Sequence, residues 1–197
     1  MKLTRLPGVA AFAFAATIQF FATSGVLAEE APRVKFTTSA GAFVVEVYPD
    51  KAPKTVANFL QYVRDKHYDG TIFHRVIHNF MVQGGGYDAK YWQKPTRPPV
   101  TLEASNGLKN DLGTIAMART SDPHSATSQF FINVTDNAKL NAPSPDGFGY
   151  TVFGKVVSGA EVIQKIKTTP TGPGGPFTSD VPKAPILINS ATLEKKS

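Results

Sequence analysis

No cysteine occurs anywhere in the 197 residues. Disulfides, thiolate nucleophiles and sulfur-ligated metals are therefore excluded, and stability has to come from packing alone. Charge clusters are missing as well. Basic residues outnumber acidic ones 21 to 15, but they are scattered, and no block of like charge marks a nucleic-acid surface. No Gly-x-Ser-x-Gly elbow frames a serine nucleophile. Gly84-Gly85-Gly86 lacks the lysine and the serine or threonine of a phosphate loop, so its plain meaning is a bulge or a close backbone approach. Apart from Glu29-Glu30, aspartates and glutamates occur singly, without an obvious catalytic pair.

Long apolar runs are also absent, save one at the start. Lys2 and Arg5 precede an apolar stretch over 9–21 that only Thr17 and Gln19 interrupt, and Val26-Leu27-Ala28 offers small residues for a cleavage site. Residues 1–28 are expected to be a cleaved secretory signal peptide. The stretch is shorter than the roughly 20 residues of a spanning helix, which disfavours a retained anchor. Residues 29–197 then form one domain. Loss of Lys2 and Arg5, with no acid, lowers the formal charge of +6 by two. An exported, cysteine-free domain suggests a bacterial periplasm, with no stable membrane association after cleavage.

The remaining chain reads as mainly β. Strand-like runs fall at 34–38, 42–48, 72–77, 80–83, 113–118, 128–134, 151–157 and 186–193. Ser39-Ala40-Gly41 forms a short turn between the first two. Val56, Phe59, Leu60 and Val63 make a helical stripe within 54–68, with Pro53 at the first turn and Asp69-Gly70 at the end. A second helix fits 160–167. Segments 84–99 and 135–149 read as long loops, and such loops are functional or disordered in compact domains. The Pro/Gly-rich stretch 168–185 reads as a loop returning the chain to its sheet. Eight strands and two distant helices predict a closed eight-stranded antiparallel β-barrel capped by the helices, because closure removes exposed edges.

Four histidines invite a metal reading. His74 and His78 have helical i, i+4 spacing, but the β-branched alternation of 73–77 predicts a strand, which places them roughly 13 Å apart. That is too far to chelate one ion. No metal and no cofactor is implied. The more informative island is Phe73-His74-Arg75-Val76-Ile77-His78-Asn79-Phe80-Met81-Val82-Gln83-Gly84-Gly85, in which one arginine sits in an apolar strand. Such an arginine is either tied to an acidic partner or functional, and periodicity favours neither.

A second island, Ser128-Gln129-Phe130-Phe131-Ile132-Asn133-Val134, joins the first in a pattern that resembles the cyclophilin family of peptidyl-prolyl cis–trans isomerases. Gly113-Thr114-Ile115-Ala116-Met117-Ala118-Arg119 and Val152-Phe153-Gly154-Lys155-Val156 extend the likeness over about 34–193. The Phe-Gly-Tyr at 148–150 is similar to the bacterial periplasmic branch.

The resemblance implies a catalytic Arg75, with Gln83 and Gln129 binding the substrate or orienting Arg75. It implies a proline pocket of Phe80, Met81, Phe131 and Leu140, and backbone groups of Ala118 and Arg119 offered to an extended peptide. Tyr150 stands where many relatives carry a pocket histidine, and Lys139 where many eukaryotic members carry a tryptophan that helps to grip cyclosporin. Weak cyclosporin inhibition is therefore expected. The implied partners are proline-containing unfolded or exported polypeptides, with no nucleic acid, and the protein is expected to act as a monomeric folding catalyst. A non-catalytic peptide-binding or chaperone module on the same scaffold is the alternative; it would lack the arginine or the aromatic pocket, and this chain keeps both.

Overall fold

The structure is a computed structural model describing residues 31–143 and 146–195 together with Met1. The expected signal peptide, from Lys2 onward, lies outside the described residues. Alternation in the first two strand-like runs produces β1 (Arg33–Thr38) and β2 (Gly41–Val47), with Val34, Phe36, Phe43, Val45 and Val47 turned inward. Helix α1 (Pro53–Arg64) buries Val56, Phe59, Leu60 and Val63. No side chain of its own caps its start. Instead the Glu103 carboxylate accepts from the Lys54 and Thr55 N–H groups at 3.1 and 2.9 Å, which satisfies two donors that have no partner within the helix and favours the positive helix end.

Helix α1 stops at Arg64, four residues short of the expected end. The His67 N–H donates to the Tyr62 carbonyl and the Lys66 N–H to that of Val63, with Lys66 at φ 54°. This is the Schellman arrangement, with lysine where glycine is usual. The turn that ends the helix therefore precedes Asp69-Gly70.

Strands β3 (Thr71–Ile77), β4 (Met81–Asp88), β5 (Thr114–Met117), β6 (Phe130–Asn133), β7 (Val152–Ser158) and β10 (Ile188–Leu193) complete an antiparallel sheet with the order β10-β1-β2-β7-β5-β6-β4-β3. Its two ends meet. Ile72 bridges to Leu187, the Gly70 N–H donates to the Ile188 carbonyl, and the Phe73 N–H donates to that of Ile186. The sheet thus curls into a nearly closed barrel. Helix α2 (Ala160–Lys167) buries Val162, Ile163 and Ile166 and packs on β2 and β4, while α1 packs on β10. Aromatic rings fill the interior, with Phe36 stacked on Phe43 at 4.9 Å and Phe59 against Phe153 at 5.0 Å. Among the described residues no helix is long and apolar enough to cross a membrane.

Two segments read as loops are strands. β4 continues through the three glycines to Asp88. A Cβ on Gly86 would lie 2.5 Å from the Gln129 side chain, so the missing side chain there makes room for Gln129. Within 168–185, β8 (Thr171–Gly174) and β9 (Phe177–Pro182) form a separate hairpin lying against β3. Its two-residue turn uses Gly175 at φ 53°. That hairpin, absent from the sequence reading, sits beside the site described next.

Candidate active site

Every second residue of a strand faces the same way, so β6 sends Phe130 and Ile132 into the barrel and Phe131 outward. Phe131 joins Met81, Ala116 and Val152 in an apolar cluster on the outer wall, with Phe80, Ala118, Leu140 and Tyr150 packed against it. Cross-strand register assembles the rest. Gln83 of β4 sits opposite Arg75 of β3 on one side and Phe131 of β6 on the other.

The result is a pocket of about 170 Å³ lined by Arg75, Phe80, Met81, Gln83, Ala118, Arg119, Phe131, Leu140 and Tyr150. That is below the roughly 300–1,000 Å³ of clefts for drug-sized ligands, and suits one small ring. Met81 and Phe131 form its floor, each less than a twentieth exposed. Tyr150 meets Phe131 edge-on at 5.7 Å. Of the ten site residues named from the sequence, Gln129 alone lies outside this lining. It stands immediately behind, where its Oε1 accepts from Gln83 Nε2 at 3.0 Å.

Several placements differ in detail from expectation. Arg75 is not inside its strand's apolar face. It lies on the outer face with 45% of its side chain exposed, and Asp180 of β9 approaches its Nε at 3.9 Å. The two glutamines bond to each other rather than to the guanidinium. The Ala118 N–H is already donated to the Gln129 carbonyl, so that group is not offered to a peptide. The Arg119 side chain is 2% exposed and is committed inward. It donates to the Gly149 and Thr120 carbonyls and to the Asp146 carboxylate, and its guanidinium lies 4.4 Å over the Tyr150 ring. Arg119 therefore fixes the loop that presents Tyr150.

A buried asparagine network, which the sequence reading missed, supports the pocket from behind. Asn137 donates to the Asn133 Oδ1 and to the Phe80 carbonyl, and Asn133 donates to Asn110 and Thr114. Asn110 in turn donates to the Leu140 carbonyl, which also accepts from the Tyr150 N–H. Two pocket walls thus hang from one set of satisfied buried amides. Lys139 places its Nζ 4.9 Å over the Phe80 ring, a cation–π contact at the rim.

The histidines do not converge. His74 is buried, stacked on Phe177 at 5.3 Å and edge-on to Tyr87 at 4.8 Å. Burial, and then the charge of Arg75, lower its pKa from 6.5 to about 4, so it is neutral at ordinary pH and adds no charge beside the guanidinium. His67 faces the Gly85 carbonyl, His78 the Lys167 carbonyl, and His124 accepts from the Leu102 N–H. Among the described residues no three His, Asp or Glu side chains gather into a metal-holding group. What the arrangement does offer is a permanently charged donor on the edge of a small, ring-sized pocket.

Comparison with known proteins gives a consistent picture. The family described as cyclophilin type peptidyl-prolyl cis-trans isomerase/CLD matches residues 33–193. Peptidyl-prolyl cis-trans isomerase cyp18 of Streptomyces antibioticus is 56% identical over 162 residues, which is 81% of this chain and 97% of that protein. Peptidyl-prolyl cis-trans isomerase B of Escherichia coli is 52% identical over 164 residues, 82% of this chain and 99% of that protein. A crystal structure of a Cryptosporidium parvum cyclophilin type peptidyl-prolyl cis-trans isomerase superposes with a TM-score of 0.69 at 26% identity, covering 85% of this chain and 99% of that one.

Proposed function

The chain belongs to the cyclophilin family and is a peptidyl-prolyl cis–trans isomerase, and from that premise we propose that it accelerates the folding of exported polypeptides in the periplasm with Arg75 as its catalytic residue. The supporting observation is a single one: a half-exposed guanidinium on the rim of the apolar pocket formed by Phe80, Met81, Phe131 and Leu140.

The barrier to rotation, about 18–20 kcal/mol, arises from the double-bond character of the amide C–N bond. X–Pro bonds populate both isomers, and their exchange over tens to hundreds of seconds limits folding. No bond has to break and no proton has to leave. As the amide twists, the prolyl nitrogen becomes pyramidal and regains a lone pair. Arg75 donates to that lone pair far better than to the planar ground state, so it binds the transition state selectively. Each 1.36 kcal/mol of such preference is worth about tenfold in rate.

The pocket holds the pyrrolidine ring while the carbonyl on the other side of the bond turns. Gln83, braced by Gln129, presents a polar group to the substrate amide next to Arg75. The Ala118 carbonyl and the Arg119 backbone take an extended peptide, and Tyr150 walls the far side. The enzyme works as a monomer on proline-containing chains, needs no cofactor, and loses residues 1–28 on export.

A proline-isomerisation assay of Arg75→Ala against wild type tests the chemistry. Loss of roughly 10²–10³ in kcat/KM is expected, the magnitude typical of removing one preorganised transition-state donor, with an unchanged circular-dichroism spectrum. A near-normal rate would overturn this assignment. Fractionation with N-terminal sequencing tests the location; a chain that stays in the cytoplasm with its N-terminus unprocessed sinks that part.

A further inference from the structure

The β8–β9 hairpin stands outside the eight-stranded sheet, and its one acidic residue is aimed at the site. Asp180 Oδ2 lies 3.9 Å from Arg75 Nε. Its backbone is at φ 64°, in the left-handed region that residues other than glycine enter at a cost. The hairpin register slips at the same place. Gly172 pairs with Val181 and Gly174 with Phe177, so three β9 residues, 178–180, oppose the single residue Pro173. A bulge of this kind re-aims a side chain, and bulges gather next to active sites.

The frame carrying Asp180 is fixed. Phe177, three residues earlier, stacks on His74 and meets Tyr87 edge-on at 5.1 Å, and Val181, the next residue, is buried. His74 is the chain neighbour of Arg75, so the hairpin is anchored one residue from the group it faces. The approach is to Nε, at the edge of the guanidinium that lies nearest the backbone. At 3.9 Å the contact is charge attraction rather than a hydrogen bond.

We propose that Asp180 is a positioning residue for Arg75, delivered by a strained bulge, which holds the guanidinium by its Nε edge and leaves the two terminal nitrogens turned to the pocket. This rests on the reading of Arg75 as the catalytic group. The pair is part-exposed, with side-chain exposures of 45% and 35%. Its work is therefore orientation, not net stability, and salt weakens it.

Asp180→Gly separates the two roles that the residue could have. Glycine relieves the positive φ, so a residue that only makes the turn would leave kcat unchanged in this variant. Positioning instead predicts a folded variant, with a melting temperature no lower than wild type, whose kcat falls about tenfold at unchanged KM, because small misplacements of a catalytic group are costly. Asp180→Asn keeps the size and the tolerance of left-handed geometry and should lose a similar factor, since the charge does the holding. Added salt should bring wild-type kcat toward that of the variants. In an Arg75→Ala background neither change should matter further.

Wild-type kcat in Asp180→Asn, or in a folded Asp180→Gly, overturns the proposal; should the glycine variant fail to fold, the asparagine variant decides alone. If Arg75→Ala is slow while both Asp180 variants are normal, only the positioning role fails. If Arg75→Ala is itself normal, the catalytic assignment fails first.

Discussion

Phe130 and Phe131 are adjacent in β6, yet they live in different materials. Phe130 is fully buried among the rings of Phe36, Phe59, Tyr68 and Phe73, all with centroids within 6.3 Å. Phe131 is almost as well covered, but Tyr150 is its single ring neighbour among the described residues, and beyond that lies open pocket. The inner region coheres because apolar groups interlock at crystal-like density. The outer region is apolar too, but hydrogen bonds set behind it, through Asn110, Asn133 and Asn137, keep its walls apart. A binding site built from the same residue types as a core needs that polar frame, or it would collapse into one.

The contrast predicts different costs for the same truncation. Phe130→Ala should destabilise the domain by about 3–5 kcal/mol in denaturant unfolding, because the void is lined by rings that cannot close over it. Phe131→Ala should cost at least ~1 kcal/mol less, since its void merges with an existing opening, and should register instead as a raised KM for prolyl peptides. Equal stability losses would abolish the distinction.

A second way to break the comparison uses pH. His74 lies under the hairpin with its pKa lowered from 6.5 to about 4 by burial and then by Arg75. The unfolded chain therefore binds the proton before the native one does. Stability attached to the neutral ring is full above pH 6.5 and is lost progressively as pH falls from 6.5 toward 4, by roughly 3 kcal/mol in all. His74→Phe, measured by unfolding at pH 7 and pH 4.5, should flatten that slope. An unchanged slope would place the acid sensitivity elsewhere.

The smallest effect belongs to the rim. Lys139 covers Phe80 with an ammonium group and supplies no indole N–H, so cyclosporin should inhibit weakly. Lys139→Trp should tighten inhibition by about tenfold, or ~1.4 kcal/mol, with prolyl turnover little altered. Strong inhibition of the unmodified enzyme would contradict the role given to this position.

How far the sequence revealed these features depended on how local their causes are. β1, β2 and the stripe of α1 follow from periodicity within a few residues, and they stand where the pattern put them. The pocket residues were named through the family resemblance, whose motifs carry Arg75, Phe80, Met81 and Gln83 in one short segment and Phe131 in another; periodicity alone left Arg75 open between a structural and a functional role. The end of α1 was misplaced because lysine at 66 takes a left-handed turn that glycine normally signals. β4 was cut short because three glycines read as a break, whereas the strand runs through them and Gly86 leaves room for Gln129, which lies just before β6. Asp180, Asn110 and Asn137 carry no local signal of a role. Asp180 reaches Arg75 across 105 residues of chain, Asn137 reaches Phe80 across 57, and Asn110 reaches Leu140 across 30. The hairpin was hidden because Thr171-Gly172-Pro173-Gly174 carries Gly and Pro where a strand signal would need β-branched or aromatic residues.

The pocket opens on the outside wall of the barrel, between strands that stay paired to one another. A client chain therefore approaches from the side and needs no free end to thread. A proline in the middle of a long polypeptide is as accessible as one near a terminus, provided its neighbours are extended. The barrel need not loosen to admit or release it. Successive prolines of one polypeptide can be visited by lateral contact alone, and the enzyme's fold can be as rigid as its aromatic interior makes it without slowing turnover.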